Sequence, residues 1–301
     1  MRIDELLDSR DDPVFSFEFF PPKSPAGVEN LRNALIELQP LKPDYVSVTY
    51  GAGGTTRETT IDLVSHIRED YELEAMAHFT CVNATVDELR ATLDRMRDAG
   101  VENVMALRGD PPNGAERWTK TEDGLEYSRE LVELLRAEYD FTIGAAAFPE
   151  THIHATSPEE DIRYLKEKVD AGAQFLITQL FFDNAHYFDF VERARAVGVD
   201  VPIIPGVMPV LTYEGIKRMT TLSAAELPAA FEAELEARRE DPEAVADLGV
   251  AYATLQCADL LRHGAPGIHF CTLNRSPATR AILSALRLTQ PWRETATPHA
   301  G

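Results

Sequence analysis

Glu18 is the residue of this sequence best placed to act as a general acid. It lies in the run Phe15-Ser16-Phe17-Glu18-Phe19-Phe20, so that a carboxyl group is set among aromatic side chains at the end of a predicted strand. Apolar surroundings raise the pKa of a carboxyl group, which then keeps its proton near neutral pH. The alternative is a surface glutamate at the edge of an apolar run, because strand side chains alternate between two faces. The functional interpretation predicts a raised pKa, and both interpretations stay open on these residues alone.

A second candidate group, Arg108, Gly109 and Asp110, follows another predicted strand and precedes two prolines. Glycine allows backbone N–H groups to approach a ligand, Arg108 can bind a phosphate or carbonyl oxygen, and Asp110 can hydrogen-bond a heterocycle. A local salt bridge at a turn explains the same residues equally well. Both interpretations stay open on these residues alone.

Five other polar residues are candidates for a functional role. His78 shares one strand face with Met76 and Thr80 and is either a satisfied core histidine or a site residue. Gln179 ends an apolar run, where its amide could bind the edge of a planar heterocycle. Lys168 lies on a predicted helix and is by default solvated. His152 and His154 alternate and offer at most one ligand to a metal, so we expect no metal site.

These residues fall near the carboxyl ends of eight short apolar runs that alternate with amphipathic segments. This alternation predicts an α/β fold, a single (β/α)8 TIM barrel over residues 1–288 with a polar C-terminal tail at 289–301. Extra solvated helices are expected between strands seven and eight, where Ala224–Asp247 holds eight acidic residues and two arginines. The predicted strands are Val14–Glu18, Tyr45–Thr49, Glu74–Thr80, Asn103–Leu107, Thr142–Ala147, Phe175–Thr178, Pro202–Gly206 and Gly267–Phe270.

An open doubly wound sheet is the competing architecture. It normally places a glycine-rich turn after the first strand, but here that strand runs into Phe19-Phe20-Pro21-Pro22-Lys23. The later Gly51-Ala52-Gly53-Gly54 lacks the GxGxxG register and is weak evidence for phosphate binding. Capping-box spacing at Thr55 to Glu58, Thr85 to Glu88 and Ser157 to Glu160 supports the helix starts. A barrel predicts that the chemistry lies at the carboxyl ends of its strands.

Charge limits the partners of this chain. Its 301 residues include 50 Asp and Glu against 29 Lys and Arg, a formal charge of −21, which disfavours nucleic acids and anionic membranes. An anionic ligand therefore needs a local basic patch. The basic residues are 6 Lys and 23 Arg. High genomic GC content is one explanation of this imbalance. Scarce lysine together with the acidic excess favours the other explanation, a halophilic origin, where salt screens the repulsion between carboxylates.

Cysteine and apolar patterning indicate a cytoplasmic protein. The three cysteines, Cys81, Cys257 and Cys271, are too far apart for a CxxC metal knuckle and odd in number for a disulfide framework. The segment Met1–Asp12 has no apolar core of a signal peptide, and no run of about 18 apolar residues is seen.

Several of these segments together resemble the methylenetetrahydrofolate reductase family of flavoproteins. The match extends in order from about Phe15 to Arg275, and the family fold is an eight-stranded barrel. The segments that carry it are Phe17-Glu18-Phe19-Phe20-Pro21-Pro22-Lys23, Val46-Ser47-Val48-Thr49-Tyr50-Gly51-Ala52, Leu107-Arg108-Gly109-Asp110, Thr178-Gln179-Leu180-Phe181-Phe182-Asp183, Pro205-Gly206 and Thr272-Leu273-Asn274-Arg275.

The resemblance implies an enzyme that uses FAD and either NADH or NADPH to reduce 5,10-methylenetetrahydrofolate to 5-methyltetrahydrofolate, in one-carbon metabolism and methionine supply. It implies that Glu18 is the general acid and that Asp110 lies between flavin and folate. The implied FAD contacts are Thr49, His78, Arg108, Gly109, Asp110, Tyr127, Ser128, His152, Asp161 and Lys168. The implied substrate contacts are Glu18, Asp110, Gln179, Tyr213 and Arg275.

Four positions depart from the family pattern: Phe148 where Tyr is frequent, Cys271 where an aromatic is common, and Glu167 and Tyr164 where Arg and Asn can face the FAD phosphates. Two other hypotheses keep a pterin ligand. One is a barrel that uses another electron donor, a deazaflavin or an iron–sulfur partner. The other is a non-catalytic pterin-binding subunit of a methyl-transfer assembly. For the enzyme that the resemblance implies, a folate substrate and a homo-oligomer are expected.

Overall fold

Strands and helices alternate along nearly the whole chain in the computed structural model, which describes residues 1–50, 57–109 and 120–294. The strands are β1 Val14–Phe19, β2 Tyr45–Val48, β3 Ala75–Thr80, β4 Asn103–Leu107, β5 Thr142–Ala147, β6 Phe175–Thr178, β7 Ile203–Ile204, β8 Gly206–Val207 and β9 Gly267–Cys271. The helices are α1 Ile3–Asp8, α2 Pro25–Leu38, α3 Arg57–Tyr71, α4 Val86–Asp98, α5 Ser128–Glu138, α6 Pro158–Asp170, α7 Asn184–Ala196, α8 Tyr213–Ser223, α9 Ala229–Ala237, α10 Pro242–Arg262 and α11 Pro277–Thr289.

All neighbouring strands are parallel, in the order β7-β6-β5-β4-β3-β2-β1-β9-β8. The first strand pairs with both β2 and β9, and Ser16 lies level with Tyr45 on one side and His269 on the other. The helices surround this nearly closed sheet, so the predicted (β/α)8 TIM barrel is confirmed.

The predicted seventh strand, Pro202–Gly206, differs from the structure because it is divided at Pro205. Proline has no backbone N–H to give to a ladder, so β7 pairs with β6 and β8 pairs with β9. The N–H of Gly206 turns to the Thr178 hydroxyl, 2.9 Å away. A Cβ at Gly206 would lie 2.4 Å from the Thr178 carbonyl oxygen, so this position between β7 and β8 requires glycine.

Side chains of β1 alternate between the barrel interior and the surrounding helices. Phe15, Phe17 and Phe19 are buried in the core between strands and helices, where the Phe17 and Phe270 rings lie 6.2 Å apart. Burial of each ring contributes on the order of 2 kcal/mol. Ser16 and Glu18 face the interior instead. Strand alternation thus separates the aromatic residues of this run from its carboxyl group.

The amino-terminal end of the barrel is closed by α1. Ile3 and Leu6 of this helix are buried in one cluster with Val14, Tyr45 and Met76 of the barrel interior. The N–H of Ile3 also donates to the Asn103 side chain over 2.9 Å. Helix α1 therefore fills the barrel interior at the amino-terminal end of the strands, which leaves the carboxyl-terminal end as the place for a functional site.

Three helices, α8 to α10, occupy the interval between the last two predicted strands, which confirms the extra helices there. Phe231 of α9 stacks on Tyr252 of α10 with ring centroids 3.8 Å apart. The long helix α10 is apolar and long enough to span a membrane by length and composition alone. Its buried residues include Val245, Cys257 and Leu260, the last two in the main core.

Local signals at helix starts are partly confirmed. Thr85 forms the predicted capping box. Its hydroxyl accepts from the N–H of Glu88 over 3.3 Å, and the N–H of Thr85 donates to the Glu88 carboxylate over 2.9 Å. Ser157 accepts from the N–H of Glu160, but the Glu160 carboxylate bonds the N–H of Thr156 instead. Thr55 and the segment Gly51–Gly54 lie outside the described residues.

The predicted boundary at residue 288 stays a prediction. In the described part of the predicted tail, a 3-10 turn spans Pro291–Arg293. Its Trp292 ring lies 5.8 Å from Phe15, and its indole N–H donates to Asp12 over 3.1 Å. This turn packs against the barrel.

Candidate active site

Glu18 lies inside the carboxyl-terminal mouth of the barrel, where its side chain is 14% exposed. Its carboxylate is 3.5 Å from the Nε2 atoms of both His78 on β3 and His269 on β9. The Cys271 thiol, also on β9, donates to it over 3.5 Å. We call these four residues the acid cluster.

The acid cluster corrects the expected environment of Glu18. Burial by itself raises the pKa of the carboxyl group, but the contacts with His269, His78 and Cys271 outweigh it and lower that pKa. The prediction of a raised pKa was wrong because the neighbouring phenylalanines point away from the carboxyl group. Burial lowers the pKa of His78 to about 4, so this imidazole is neutral near pH 7.

His269 links Glu18 to polar groups deeper in the barrel. Its Nδ1 lies 2.7 Å from the Ser16 hydroxyl, and its Nε2 lies 3.5 Å from the Ser47 hydroxyl. The Tyr45 ring stacks on the imidazole with a centroid distance of 6.3 Å and an interplanar angle of 19°. The imidazole, 2% exposed, is therefore fixed on both edges and on a face.

A second group of ionisable residues lies at the mouth beyond β4 and β5. Lys168 of α6 donates to the Ala146 carbonyl over 2.5 Å, and its ammonium is 5.9 Å from the centre of the Phe148 ring. The His152 ring meets Phe148 edge-on at 4.5 Å, and the N–H of His152 donates to Asp161 over 3.1 Å. We call Arg108, His152, Asp161 and Lys168 the cationic rim.

Burial dominates the electrostatics of the cationic rim. It lowers the pKa of Lys168 to about 8, because Asp161 offsets only part of the cost. It also lowers the pKa of His152 to about 4, with further contributions from the charges of Arg108, His154 and Lys168. The pKa of Asp161 is raised by its own burial. The default interpretation of Lys168 as a solvated helix residue was wrong.

The other described residues of the predicted cofactor set lie at the ends of β2 and β4 and at the start of α5. Gly109 has φ +89°, and a Cβ there would lie 2.6 Å from Val82 Cγ1, so the turn after β4 requires glycine. Tyr127, 53% exposed, is the N-cap of α5, and Ser128 is its first residue. Thr49 follows β2 and its N–H donates to the Phe19 carbonyl. Asp110 lies outside the described residues.

The predicted substrate residues lie in three separate segments: Gln179 after β6, Tyr213 at the start of α8 and Arg275 after β9. The Gln179 amide oxygen accepts from the N–H of Leu180, and Tyr213 opens α8 against the apolar residues beneath it. Arg275 is exposed and lines a cavity of 340 Å³ together with Lys23. A cavity of 570 Å³ adjoins it and is lined mainly by apolar residues of 208–222.

Asn274 lines both cavities together with Phe20 and Leu273 and is hydrogen-bonded to the Phe20 backbone. Its side chain accepts from the N–H of Phe20 over 2.8 Å and donates to the Phe20 carbonyl over 2.9 Å. Leu273 and Asn274 both adopt positive φ angles, 53° and 55°. Two non-glycine residues in this conformation cost energy that the paired hydrogen bonds offset.

His269 and Ser16 are functional candidates that the sequence analysis missed. The alternation Gly267, His269, Cys271 puts a histidine on the inner face of β9, and this pattern could have identified it. Two of the residues that depart from the family pattern have partners on the protein surface. The Glu167 carboxylate lies 3.7 Å from the Arg129 guanidinium, and the Tyr164 hydroxyl donates to Glu160 over 3.4 Å.

Away from the acid cluster, Glu150, His186 and Glu226 have potential ligand atoms within 4.8 Å of one another. The Glu150 carboxylate accepts from the N–H of Glu226 over 2.8 Å, and burial raises its pKa. The expectation of no metal site remains a prediction.

Fold and site together define a (β/α)8-barrel protein with a buried carboxyl group at its mouth and a cationic rim suited to an anionic ligand. The chain belongs to the methylenetetrahydrofolate reductase family, whose sequence model matches residues 2–287. Members of this family are oxidoreductases of folate-dependent one-carbon metabolism.

Individual relatives agree with this assignment. The chain is 38% identical over 302 residues to methylenetetrahydrofolate reductase (NADH) 1 of Arabidopsis thaliana, covering 94% of this chain and 51% of the plant protein. It is 38% identical over 271 residues to 5,10-methylenetetrahydrofolate reductase of Escherichia coli, covering 90% of each. The chain thus spans about half the length of the plant relative.

A solved structure has the same fold. It is an uncharacterized protein from Clostridium thermocellum that binds two copies of 5-methyl-5,6,7,8-tetrahydrofolic acid, with a TM-score of 0.62 and 16% identity. The similarity covers 96% of this chain and 99% of that one.

Proposed function

We propose that this protein reduces 5,10-methylenetetrahydrofolate to 5-methyltetrahydrofolate with FAD as cofactor and NADH or NADPH as hydride donor. The observation that carries the proposal is the acid cluster, in which a partly shielded carboxylate faces the mouth of a barrel of this family. The bacterial relative of similar length and the plant relative named as NADH-dependent support the reaction. The folate ligand named for the Clostridium thermocellum protein is compatible with it.

The cationic rim fits the phosphate groups of FAD. Lys168 uses one N–H on the Ala146 carbonyl and has two left for an anion, and Arg108 supplies a guanidinium nearby. The neutral His152 imidazole can also hydrogen-bond a phosphate oxygen. Bound there, FAD would carry the hydride between nicotinamide and folate. Arg108, Lys168 and His152 would hold it, and Asp161 would keep the His152 backbone in place by accepting its N–H.

Glu18 would supply a proton to the folate. Opening of the five-membered ring breaks the bond between the bridging carbon and N10, and the bond electrons stay on that nitrogen. A proton from the Glu18 carboxyl neutralises the nitrogen, and the carbon becomes an electrophilic iminium that accepts hydride. The depth of Glu18 in the mouth excludes water from this step once the folate covers it. Gln179, Tyr213 and Arg275 would bind the pterin and its anionic tail.

Separate half-reactions of a Glu18→Gln variant test this proposal. Glutamine keeps the size of the side chain but cannot donate a carboxyl proton, so folate reduction should fall by about 10²–10⁴-fold. Flavin reduction by nicotinamide needs no such proton and should stay within about threefold. Stopped-flow absorbance of the flavin measures both rates.

Glu150→Gln is the matched control, because this partly buried carboxyl group lies outside the acid cluster, and its variant should keep both rates. Equal loss of both half-reactions in Glu18→Gln would refute the assigned role. A purified protein that takes up no flavin, or whose flavin neither NADH nor NADPH bleaches, would refute the cofactor and donor.

A further inference from the structure

The proton of Glu18 needs an explanation. The proposed reaction requires a carboxyl group that carries a proton, yet the contacts of Glu18 favour its carboxylate. The proton must therefore be retained by something near the carboxylate. The described side chains that contact it include His78 from β3 and Cys271 and His269 from β9.

Two of these groups do not share a proton readily with Glu18. Burial keeps His78 neutral, with a pKa lowered to about 4. Burial and the Glu18 charge raise the pKa of the Cys271 thiol well above its usual range, so it stays a thiol. His269 is left: its Nε2 lies 3.5 Å from the Glu18 carboxylate, and it has a second hydrogen-bond partner behind it.

That second partner, Ser16, suits an imidazole that gains and loses a proton. The Ser16 hydroxyl lies 2.7 Å from His269 Nδ1 and is itself fully buried. A hydroxyl can donate to an unprotonated ring nitrogen or accept from a protonated one. The imidazole consequently keeps a satisfied Nδ1 whether the proton lies on His269 or on Glu18.

We propose that His269 is a positioning residue that shares with Glu18 the proton consumed in folate ring opening, with Ser16 hydrogen-bonded to its Nδ1 in either protonation state. This inference deepens the proposed function and rests on it. Before ring opening the pair holds one proton, as imidazolium and carboxylate or as imidazole and carboxyl. Transfer breaks the carboxyl O–H bond and forms an N–H bond on the folate, and leaves carboxylate and neutral imidazole.

Folate binding would shift the shared proton towards the reacting carboxyl group. A folate over the mouth removes water from Glu18, and low polarity favours the uncharged pair over two separated charges. His269 is 2% exposed and Glu18 14%, so the proton returns from solvent through the carboxyl group after product leaves. The pair thereby delivers an acid from a carboxylate that is ionised in the open barrel.

A His269→Gln variant tests this sharing through the pH profile of the folate half-reaction. Glutamine can hydrogen-bond Glu18 but cannot hold the proton, so the rate at pH 7.5 should fall by about 10–100-fold. The pH of half-maximal rate should move at least about one unit towards acid, and the rate should recover to within about threefold of wild type near pH 5.5. Flavin reduction by nicotinamide should not change.

Two serine variants keep the test decisive if His269→Gln does not fold. Ser16→Ala should shift the same profile in the same direction by a smaller amount, because Nδ1 loses its partner. Ser47→Ala is the matched control, since its hydroxyl is 3.5 Å from the same ring, and should leave the profile in place. A uniform rate loss at every pH in His269→Gln, or equal profiles for both serine variants, would overturn the proposal.

A spectroscopic titration separates this inference from the proposed function. The carboxyl stretch of Glu18, identified by its absence in Glu18→Gln, is followed by infrared difference spectroscopy of the protein without folate. His269→Gln should change the pH range over which that band appears. An unchanged band overturns proton sharing even if the enzyme reduces folate, and inactivity of wild type with a shifted band overturns the reaction alone.

Discussion

The acid cluster and the cationic rim both bury ionisable groups at the same barrel mouth. Burial determines the direction of the pKa shift at Lys168 in the rim but not at Glu18 in the acid cluster. In the acid cluster, contacts with His269, His78 and Cys271 outweigh burial and lower the pKa of Glu18. In the cationic rim, burial outweighs the charge of Asp161 and lowers the pKa of Lys168 to about 8. The acid cluster therefore satisfies its own charge, whereas the rim has a cation that is poorly compensated.

The size of this imbalance indicates what an anionic ligand can gain. A decrease in pKa from 10.5 to about 8 corresponds to about 3 kcal/mol against the charged ammonium. An anion placed beside Lys168 recovers part of that free energy. The proposed function therefore assigns ligand binding to the rim, where an anion would offset the buried charge of Lys168, and the proton step to the acid cluster, where neighbouring side chains already stabilise the Glu18 carboxylate.

The largest expected effect that would test this contrast comes from Lys168→Met. Methionine keeps the length of the side chain and removes the charge, so FAD affinity should fall by about 10–150-fold, or about 1.5–3 kcal/mol. The free protein should be at least as stable as wild type, because a poorly compensated buried charge is gone. Flavin fluorescence titration measures the affinity, and urea unfolding measures the stability.

Lys166→Met provides the matched control on the same helix. Lys166 forms an ion pair with Asp170 and is 30% exposed, so its removal should change FAD affinity by less than about twofold. Similar losses in both variants would show that the rim acts only through general charge.

A smaller effect is expected from Gly109→Ala, which presses the rim against the strand that carries His78. The new Cβ would lie 2.6 Å from Val82 and 3.0 Å from Thr80, at φ +89°. Gly264 has φ +87° with nothing within 4 Å, so Gly264→Ala measures the backbone cost alone. Gly109→Ala should exceed it by about 1–2 kcal/mol in urea unfolding. Equal costs would mean that the turn has room to relax.

The smallest expected effect is the pH dependence of FAD affinity. The ammonium of Lys168 is the form that binds an anion, and its pKa in the free protein is about 8. Affinity should be constant from about pH 6 to 7.5 and then decrease, by roughly tenfold between pH 7.5 and 9. Calorimetric titration of FAD across this range should show no such decrease in Lys168→Met. A persistent decrease there would assign it to another group.

The barrel could be predicted from sequence because its signals are local and repeated. Each strand is a short apolar run, and a capping box such as that of Thr85 fixes a helix start. The division of the seventh strand was missed because it depends on the contacts of Gly206 with Thr178 on β6 and with β9, which form only when the sheet closes. That information lies in the closing of the sheet, and Pro205 alone does not reveal it.

The chemistry of the site was only partly predictable for a related reason. Glu18 could be singled out from its own run, but its pKa depends on His269 and Cys271, which lie about 250 residues away in sequence. Lys168 was assigned to the cofactor through the family resemblance, since nothing in its helix indicates that its ammonium meets the Ala146 carbonyl. Halophilic origin, oligomeric state and cytoplasmic location stay predictions.

The pairing of β1 with β9 has a consequence for how the protein is made. Ser16 and His269 are 253 residues apart in the chain, so joining them closes a very long loop, and such contacts form late in folding. On a ribosome, Glu18 is synthesised early and has neither His269 nor Cys271 until nearly the whole barrel has emerged. In a nascent or half-folded barrel Glu18 therefore lacks the His269 and Cys271 contacts that lower its pKa, and these electrostatics arise only with the completed fold.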